Sequence, residues 1–175
     1  MIYTTHYNSP IGKKVLASED NKLIGLWIEG QKHYLGKIKD KTAENNNIPI
    51  FKKTKSWLNK YFEGENPKIT ELELAPIGSE FSKIVWKTLC EIPYGEVTTY
   101  GNIAKKVAKQ MHKEKMSSQA IGGRIANNPI SIIIPCHRVV GTNGNLTGYA
   151  SGIDKKIKLL ELEKIETSKL KLPKR

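Results

Sequence analysis

Cysteine is scarce in this sequence. Only Cys90 and Cys136 occur among 175 residues, which excludes a disulfide framework. Their separation also excludes the C-x-x-C spacing of a structural zinc site, so we expect no bound metal. A chain with so few cysteines suits a reducing compartment, and we predict a cytoplasmic protein.

Long apolar runs and acidic side chains are also in short supply. No stretch approaches the roughly 18 apolar residues of a membrane span, and Met1 is followed by no basic and apolar signal segment, so we expect neither membrane association nor export. Lys and Arg number 29 against 17 for Asp and Glu, a net charge of +12. This excess favours a polyanionic partner.

The charge is unevenly divided between two parts of the chain. Pro76 and Gly78 punctuate the sequence between two patterned stretches, so we predict domains at residues 1–78 and 79–165, followed by a basic tail at 166–175. Residues 1–78 carry 12 lysines against 9 acidic residues, a net of +3, whereas residues 79–175 carry 17 basic against 8 acidic residues, a net of +9. A lysine-rich genome can account for the total but not for the asymmetry.

The first part has the pattern of a small α+β domain. Alternation and turn residues predict three strands, at about 2–7, 15–17 and 23–28, in an antiparallel sheet. Aromatic and aliphatic residues then recur at helical spacing from 50 to 62, and Gly64 stands in the usual stop position. Residues 71–74 alternate and predict a last strand. No motif in this part indicates a chemistry.

The second part is mainly helical. Ser79, Thr98 or Thr99, and the pair at 117–118 are candidate N-caps for helices at about 79–91, 100–108 and 119–127, and Asp154 for a last helix to 165. The second and third of these predict a helix-turn-helix, although a helical hairpin without DNA contacts stays open. Gly122 and Gly123 each cost the third helix about 1 kcal/mol relative to alanine, so the pair implies close approach of another backbone.

The candidate nucleophile is Cys136. It follows an apolar run at 130–134, which predicts a buried strand, and Pro135. Basic neighbours such as His137 lower a thiol pKa, but adjacent side chains on a strand point to opposite faces, so the hypothesis needs a bend after Pro135 or a bridging water. Glu161 and Glu163 are candidate acceptors for the other imidazole nitrogen. An inert buried cysteine remains the alternative, and we interpret Cys90 as a core thiol.

Several motifs together resemble the O-6-alkylguanine-DNA alkyltransferase family, and they follow that family's order and spacing across about residues 80–165. The matching segments are Ile134-Pro135-Cys136-His137-Arg138-Val139, Ile92-Pro93-Tyr94-Gly95-Glu96-Val97, Thr99-Tyr100, Ala120-Ile121-Gly122-Gly123, Asn128-Pro129, Thr147-Gly148-Tyr149, and Leu159-Leu160 with Glu163. The resemblance implies an α+β fold, in which an N-terminal ribonuclease-H-like antiparallel sheet domain precedes a mainly helical winged helix-turn-helix domain.

The resemblance also implies a function, which is DNA repair by direct damage reversal. Such a protein binds double-stranded DNA in the minor groove, flips the alkylated guanine out of the stack and takes its alkyl group irreversibly on Cys136. O-4-methylthymine is a second candidate substrate. The family acts as a monomer in a single turnover, without cofactor and without an obligate protein partner, and the zinc site of some relatives has no ligands here.

Each site residue follows from the resemblance by position. The catalytic set is Cys136 as methyl acceptor, His137 acting through a bridging water, Glu163 behind it, Tyr100 as proton donor to the guanine ring, and Asn128 organising the turn. Substrate contacts are expected from Tyr149, which stacks on the base, and from the backbone of Val139, Ala150 and Ser151. DNA contacts are expected from Tyr100, Gln119, Ala120, Gly122, Gly123 and Arg124.

The sequence departs from the family at one helix position and in one loop. Gln119 stands where many members carry an arginine that fills the gap left by the flipped base, which predicts slower flipping. The loop at 109–116 is a few residues longer than usual, and its lysines either contact phosphates or are simply solvated.

Three other functions fit the sequence less well. Alkyltransferase-like proteins bind lesions without an acceptor thiol, so Cys136 favours the enzyme. A helix-turn-helix transcription factor would need base-reading side chains where this helix has glycines. A Cys-His hydrolase would need an oxyanion hole that no motif indicates.

Overall fold

The computed structural model describes residues 1–28, 36–146, 149 and 152–170. The chain forms two compact units, the first made of Met1–Ile77 and Pro129–Ile133, the second of Gly78–Asn128 and Ile134–Arg175. The described residues include no helix with the length and hydropathy to cross a membrane. The predicted basic tail lies in part, at 171–175, outside the described residues.

The first unit is built on the predicted antiparallel meander. Its strands are β1 (Ile2–Ser9), β2 (Gly12–Glu19) and β3 (Lys22–Ile28). The β2–β3 turn places Asp20 and Asn21 at φ 51° and 56°, a left-handed pair that suits a tight hairpin. A short strand, β4 (Thr42–Glu44), adds to β1 in parallel, so the sheet order is β3-β2-β1-β4.

A long helix, α1 (Pro49–Phe62), belongs to this unit, as the apolar spacing predicted. Proline at its first position fits because that residue has no amide hydrogen to leave unpaired. Gly64 follows the last turn with φ +89°, which confirms it as the stop residue. The buried face of the helix consists of Ile50, Phe51, Thr54, Trp57, Leu58 and Tyr61.

Two predicted strands are wrong. Residues 69–71 form a 3₁₀ turn. Leu23 N donates to Glu73 O at 2.9 Å and Ala75 N donates to Leu23 O at 2.8 Å, so Leu74 forms an isolated bridge with Leu23 and not a strand. The run at 130–134 is buried as expected, but it turns instead of extending. Ser131 N donates to Leu26 O at 3.0 Å, and Ile132 then takes φ +71°, which ends the extended conformation.

The second unit contains the predicted three-helix arrangement, α2 (Glu80–Leu89), α3 (Tyr100–Gln110) and α4 (Ser118–Ala126). Each helix is capped by a hydroxyl that accepts from an amide three residues later: Ser79 from Ser82, Thr99 from Asn102, and Ser117 from Ala120. These caps confirm the helix starts read from the sequence.

The unit is completed by two short strands and a last helix. Strands β5 (Thr98–Thr99) and β6 (Val139–Val140) pair in parallel. The last helix, α5 (Ile153–Leu162), is capped by Gly152, so the prediction of Asp154 as the cap is wrong. Gly152 has φ +103°, and a Cβ there would lie 2.8 Å from Asp154 Oδ1, so glycine is required where the chain enters the helix.

Candidate active site

Cys136 lies on a bend, not on a strand. Pro135 takes φ −81° and ψ 63°, after which Cys136–Arg138 form one turn of 3₁₀ helix. The turn is closed by the amide of Cys136 donating to Ile134 O at 2.8 Å and that of Arg138 to Pro135 O at 3.0 Å. The bend that the nucleophile hypothesis required is therefore present, and strand alternation no longer separates the thiol from the imidazole of His137.

The partner of His137 is Glu163. His137 Nε2 lies 2.5 Å from Glu163 Oε2, and both side chains are fully buried. The other candidate, Glu161, is exposed and accepts a hydrogen bond from Thr167. Burial lowers the pKa of His137 more than Glu163 raises it, so the imidazole is neutral at pH 7. Its Nε2–H donates to the carboxylate, which leaves Nδ1 as the basic nitrogen.

The carboxylate of Glu163 is held from three sides. Besides His137, Arg138 Nε donates to Oε1 at 2.8 Å, and the amide of Gly95 donates to the same oxygen at 3.0 Å. Burial raises the pKa of Glu163, but hydrogen bonds and charges from His137 and Arg138 outweigh it and hold the pKa at about 2. Glu163 is therefore ionised at neutral pH and fixes the tautomer of the histidine.

The turn at Ile92–Gly95 serves this carboxylate. Arg138 Nη1 donates to Ile92 O at 2.8 Å, and the guanidinium lies 5.7 Å from the ring centroid of Tyr94. Gly95 has φ +80°, a conformation that glycine adopts without strain, and this turns its amide toward Glu163. The Ile-Pro-Tyr-Gly motif thus helps to hold the Glu163 carboxylate, directly through Gly95 and indirectly through Arg138.

The thiol of Cys136 is protonated in the resting protein. Burial raises its pKa, while a hydrogen bond with Asn128 and the charge of Lys156 lower it only in part. Asn128 Nδ2 also donates to Ile134 O at 2.9 Å, so one buried amide ties both ends of the loop that precedes the cysteine. Forming the thiolate therefore requires a base. His137, the next residue in the chain, is neutral and can accept the proton.

Tyr149 interacts electrostatically with Cys136. Burial raises the pKa of Tyr149 well above its ordinary value, and the interaction with Cys136 raises it further when the thiolate forms. Its side chain is 8 % exposed, and the hydroxyl has no hydrogen-bond partner among the described residues. Val139 is buried at the start of β6. Ala150 and Ser151, and the matching Thr147 and Gly148, lie outside the described residues.

The exposed face of α4 carries most of the residues expected to contact DNA. Gln119, Ala120, Gly123 and Arg124 are exposed, and Gly122 is half-buried beside Tyr100, the first residue of α3. A Cβ on Gly122 would lie 4.0 Å from the Tyr100 ring, an ordinary contact, and one on Gly123 would meet nothing within 4 Å. Packing within the described chain therefore does not require either glycine.

Helix α2 supports α4 through its aromatic residues. Trp86 Nε1 donates to the backbone oxygen of Arg124 at 2.9 Å. The Arg124 guanidinium lies 5.4 Å from the ring centroid of Phe81, within cation–π range. These contacts restrain Arg124 on the exposed surface of the helix.

Sequence reasoning missed Lys156, which is fully buried and donates from Nζ to Val139 O at 2.6 Å. Burial is the main cause that lowers the pKa of Lys156 to about 8, and the electrostatic interaction with Cys136 opposes that shift. A signal was available, because Lys156 precedes Leu160 by one helical turn on the apolar face of α5. A lysine at such a position needs a buried acceptor. The role of Gly95 was missed as well, since nothing near it in sequence shows where its amide points.

Comparisons with known proteins relate both parts of the chain to one family. The chain matches the family description "6-O-methylguanine DNA methyltransferase, DNA binding domain" over residues 80–165 and "6-O-methylguanine DNA methyltransferase, ribonuclease-like domain" over residues 2–76. It is 44 % identical over 163 residues to the methylated-DNA–protein-cysteine methyltransferase of Methanosarcina acetivorans, covering 93 % of this chain and 98 % of that protein.

This chain is also similar to solved structures of O6-methylguanine methyltransferases. The crystal structure of the Mycobacterium tuberculosis O6-methylguanine methyltransferase is 37 % identical with a TM-score of 0.80, covering 94 % of this chain and 93 % of that one. The structure of the M. tuberculosis protein OGT in complex with DNA is 36 % identical with a TM-score of 0.79, covering 97 % and 94 %. With both domains matched in order, this chain belongs to the 6-O-methylguanine DNA methyltransferase family and contains that family's DNA-binding domain.

Proposed function

We propose that this protein repairs DNA by moving a methyl or other alkyl group from O-6-alkylguanine to its own Cys136. The observation that carries the proposal is the buried chain of groups behind the thiol, in which a neutral His137 is hydrogen-bonded to an ionised Glu163. That arrangement supplies a base for a buried thiol that is protonated at rest. Because Cys136 must stay a free thiol until it reacts, we further propose that the protein works in a reducing compartment, the cytoplasm.

The transfer is a direct displacement. The proton of the Cys136 thiol passes through a bridging water to Nδ1 of His137, and Glu163 stabilises the imidazolium that forms. The sulfur attacks the alkyl carbon, a carbon–sulfur bond forms, the bond from that carbon to O6 breaks, and its electron pair stays on guanine. Tyr100 offsets the developing negative charge by donating a proton to a ring nitrogen. The resulting thioether has no hydrolytic exit, so each chain reacts once.

Several side chains are assigned to substrate binding in the proposal. Tyr149 stacks on the flipped base. The backbone of Val139, together with Ala150 and Ser151, reads the base edge. Asn128 holds the cysteine loop through Ile134 and lowers the thiol pKa.

The DNA surface in the proposal is the exposed face of α4, which enters the minor groove. Two glycines that internal packing does not require are explained if the groove floor lies against them. Gln119 enters the gap left by the flipped base. The small side chain of Ala120 lets the helix approach the groove floor closely. Arg124, restrained on Phe81, reaches a phosphate.

Mass spectrometry tests the proposal. The protein is incubated with a duplex that contains one O-6-methylguanine, digested, and its peptides are weighed. We expect one added methyl group on the peptide that contains Cys136. An unmodified peptide from a protein that still binds the duplex would overturn the proposal in favour of a lesion-sensing protein without transfer.

Gly123→Ala is predicted to change stability and DNA affinity in opposite directions. The added methyl group meets no atom of the described chain, so the helix gains about 1 kcal/mol of unfolding free energy. The same group obstructs close approach to the groove floor, and we expect DNA affinity to fall at least about tenfold. Denaturant unfolding and a fluorescence binding titration measure the two effects. A variant that is more stable and binds DNA as tightly as the natural chain would show that α4 does not approach the groove.

A further inference from the structure

A cleft of about 450 Å³ lies along α1 in the first unit, and none of the residues that line it belongs to the candidate active site. Three exposed lysines, Lys52, Lys53 and Lys60, line it together with Ser56. We name this feature the α1 cleft. Nothing in the proposed reaction uses it.

The floor of the α1 cleft is rigid. Trp57 and Leu72 form its apolar part, and both are less than 10 % exposed. Trp57 Nε1 donates to Lys68 O at 2.9 Å, which ties the segment after the helix to the helix itself. The indole is also stacked on Tyr61, with ring centroids 5.8 Å apart and planes at 8°. The apolar floor of the cleft is thus preformed, and a ligand would have to order only the exposed lysine side chains around it.

Positive charge is concentrated on this helix. Residues 49–62 contain four lysines and no acidic residue, whereas residues 1–78 as a whole have a net charge of only +3. One carboxylate, Glu71, lines the cleft against the three lysines. Among the residues that the structure describes, the ion pairs are Lys83–Glu80, His137–Glu163 and Arg138–Glu163, so none of these lysines is neutralised by one.

We propose that the α1 cleft is a second DNA contact, which binds backbone phosphates through Lys52, Lys53 and Lys60. Ammonium groups on flexible stems act as point charges that suit phosphate oxygens, and Ser56 adds a hydroxyl donor. The apolar floor accepts the sugar edge between phosphates. The cleft has no fork of donors for a base edge, so the contact is independent of sequence. The choice of DNA as the polyanion rests on the proposed function.

The expected consequence is a change in salt dependence. Each phosphate neutralised on duplex DNA contributes about −0.9 to the slope of log affinity against log salt concentration. Loss of two to three lysine contacts would therefore make the slope shallower by about 2. It would also lower affinity at low salt for damaged and undamaged duplexes alike.

The experiment compares two triple variants of the full chain. The cleft variant is Lys52→Gln, Lys53→Gln and Lys60→Gln. The matched control is Lys13→Gln, Lys22→Gln and Lys41→Gln, three exposed lysines of the same unit that do not line the cleft. Both carry the same net charge, so a difference between them reports the cleft itself.

Affinity for an undamaged duplex of about 30 base pairs is measured between about 50 and 200 mM salt. We expect the cleft variant to bind at least about tenfold more weakly than the natural chain at the low-salt end, with a slope shallower by about 2, and the control to stay within about twofold. Equal losses in both variants, or an unchanged slope in the cleft variant, would overturn the inference.

A second measurement separates this inference from the proposed function and from misfolding. Methyl transfer from the free base O-6-methylguanine needs no phosphate contact, so the cleft variant should react as fast as the natural chain. Slower transfer by the cleft variant would mean that the substitutions disturb the fold or the active site, and would overturn the assignment of the lysines to phosphate binding alone. If the natural chain binds DNA but never becomes methylated, the proposed function fails while the salt-slope comparison still decides the cleft.

Discussion

Cys136→Ser is expected to abolish methyl transfer, with a rate at least about 10³-fold below that of the natural chain, while DNA affinity stays unchanged. A serine hydroxyl is far less acidic than a thiol, so a neutral imidazole such as His137 cannot generate a comparable nucleophile from it. The substitution barely changes volume at a site that is 6 % exposed, and Asn128 can still hydrogen-bond to the hydroxyl. Rapid-quench assays of methyl transfer and a separate binding titration measure the two quantities.

The control for this variant is Cys90→Ser. Cys90 is the cap residue at the end of α2, and burial is the main cause that raises its pKa to about 11, so its thiolate is negligible at neutral pH. Transfer by this variant should match that of the natural chain. Methyl groups found on Cys90, or methyl transfer that survives in Cys136→Ser, would show that Cys136 is not the acceptor.

Glu163→Gln is expected to lower the unfolding free energy by about 3–5 kcal/mol at pH 7 and to slow methyl transfer. The carboxylate receives hydrogen bonds from His137, Arg138 and Gly95, and its loss leaves the buried guanidinium of Arg138 without a counter-charge. The imidazolium that forms during transfer also loses its stabilising anion. Denaturant unfolding measures the stability, and transfer is assayed at a temperature where both chains are folded.

The stability difference should depend on pH with a definite sign. Since the folded chain holds the pKa of Glu163 at about 2, below its ordinary 4.5, the contribution of the carboxylate is complete above about pH 4.5 and is lost as the pH falls toward 2. The difference in unfolding free energy between the natural chain and Glu163→Gln should therefore decrease as the pH falls from about 4.5 to about 2. Glu161→Gln, two residues away and exposed, should show no such gap. A gap that stays constant from pH 7 to pH 2 would contradict the ionised, paired state of Glu163.

Local chemistry made much of the fold predictable from the sequence. The caps at Ser79, Thr99 and Ser117 and the stop at Gly64 are set by bonds within a few residues of each other, so they can be read directly. The run at 130–134 could not be read in the same way. Its β-branched residues favour an extended chain, but Ile132 adopts a left-handed conformation because tertiary contacts decide the path of this segment.

The active site was predictable where the motif itself carries the chemistry. Cys136 and His137 are adjacent, and the proline before them signals the bend that brings them into one turn. The sequence could not distinguish Glu161 from Glu163 as the partner of His137, because the choice depends on which of them faces the histidine in the folded chain. In the structure that residue is Glu163. The position of Lys156 on the apolar face of α5 signals its burial, but its acceptor, Val139 O, could not be deduced, because only the folded chain brings the two together.

The most direct test of the central claim is a stoichiometric titration. A fixed amount of protein receives increasing O-6-methylguanine duplex, and both the repaired guanine and the methylated Cys136 peptide are counted. Irreversible transfer predicts a plateau at one repaired guanine per protein chain, with one modified Cys136 for each. Repaired guanine in excess of protein, or repair with Cys136 unmodified, would contradict the assignment of this residue as the final acceptor.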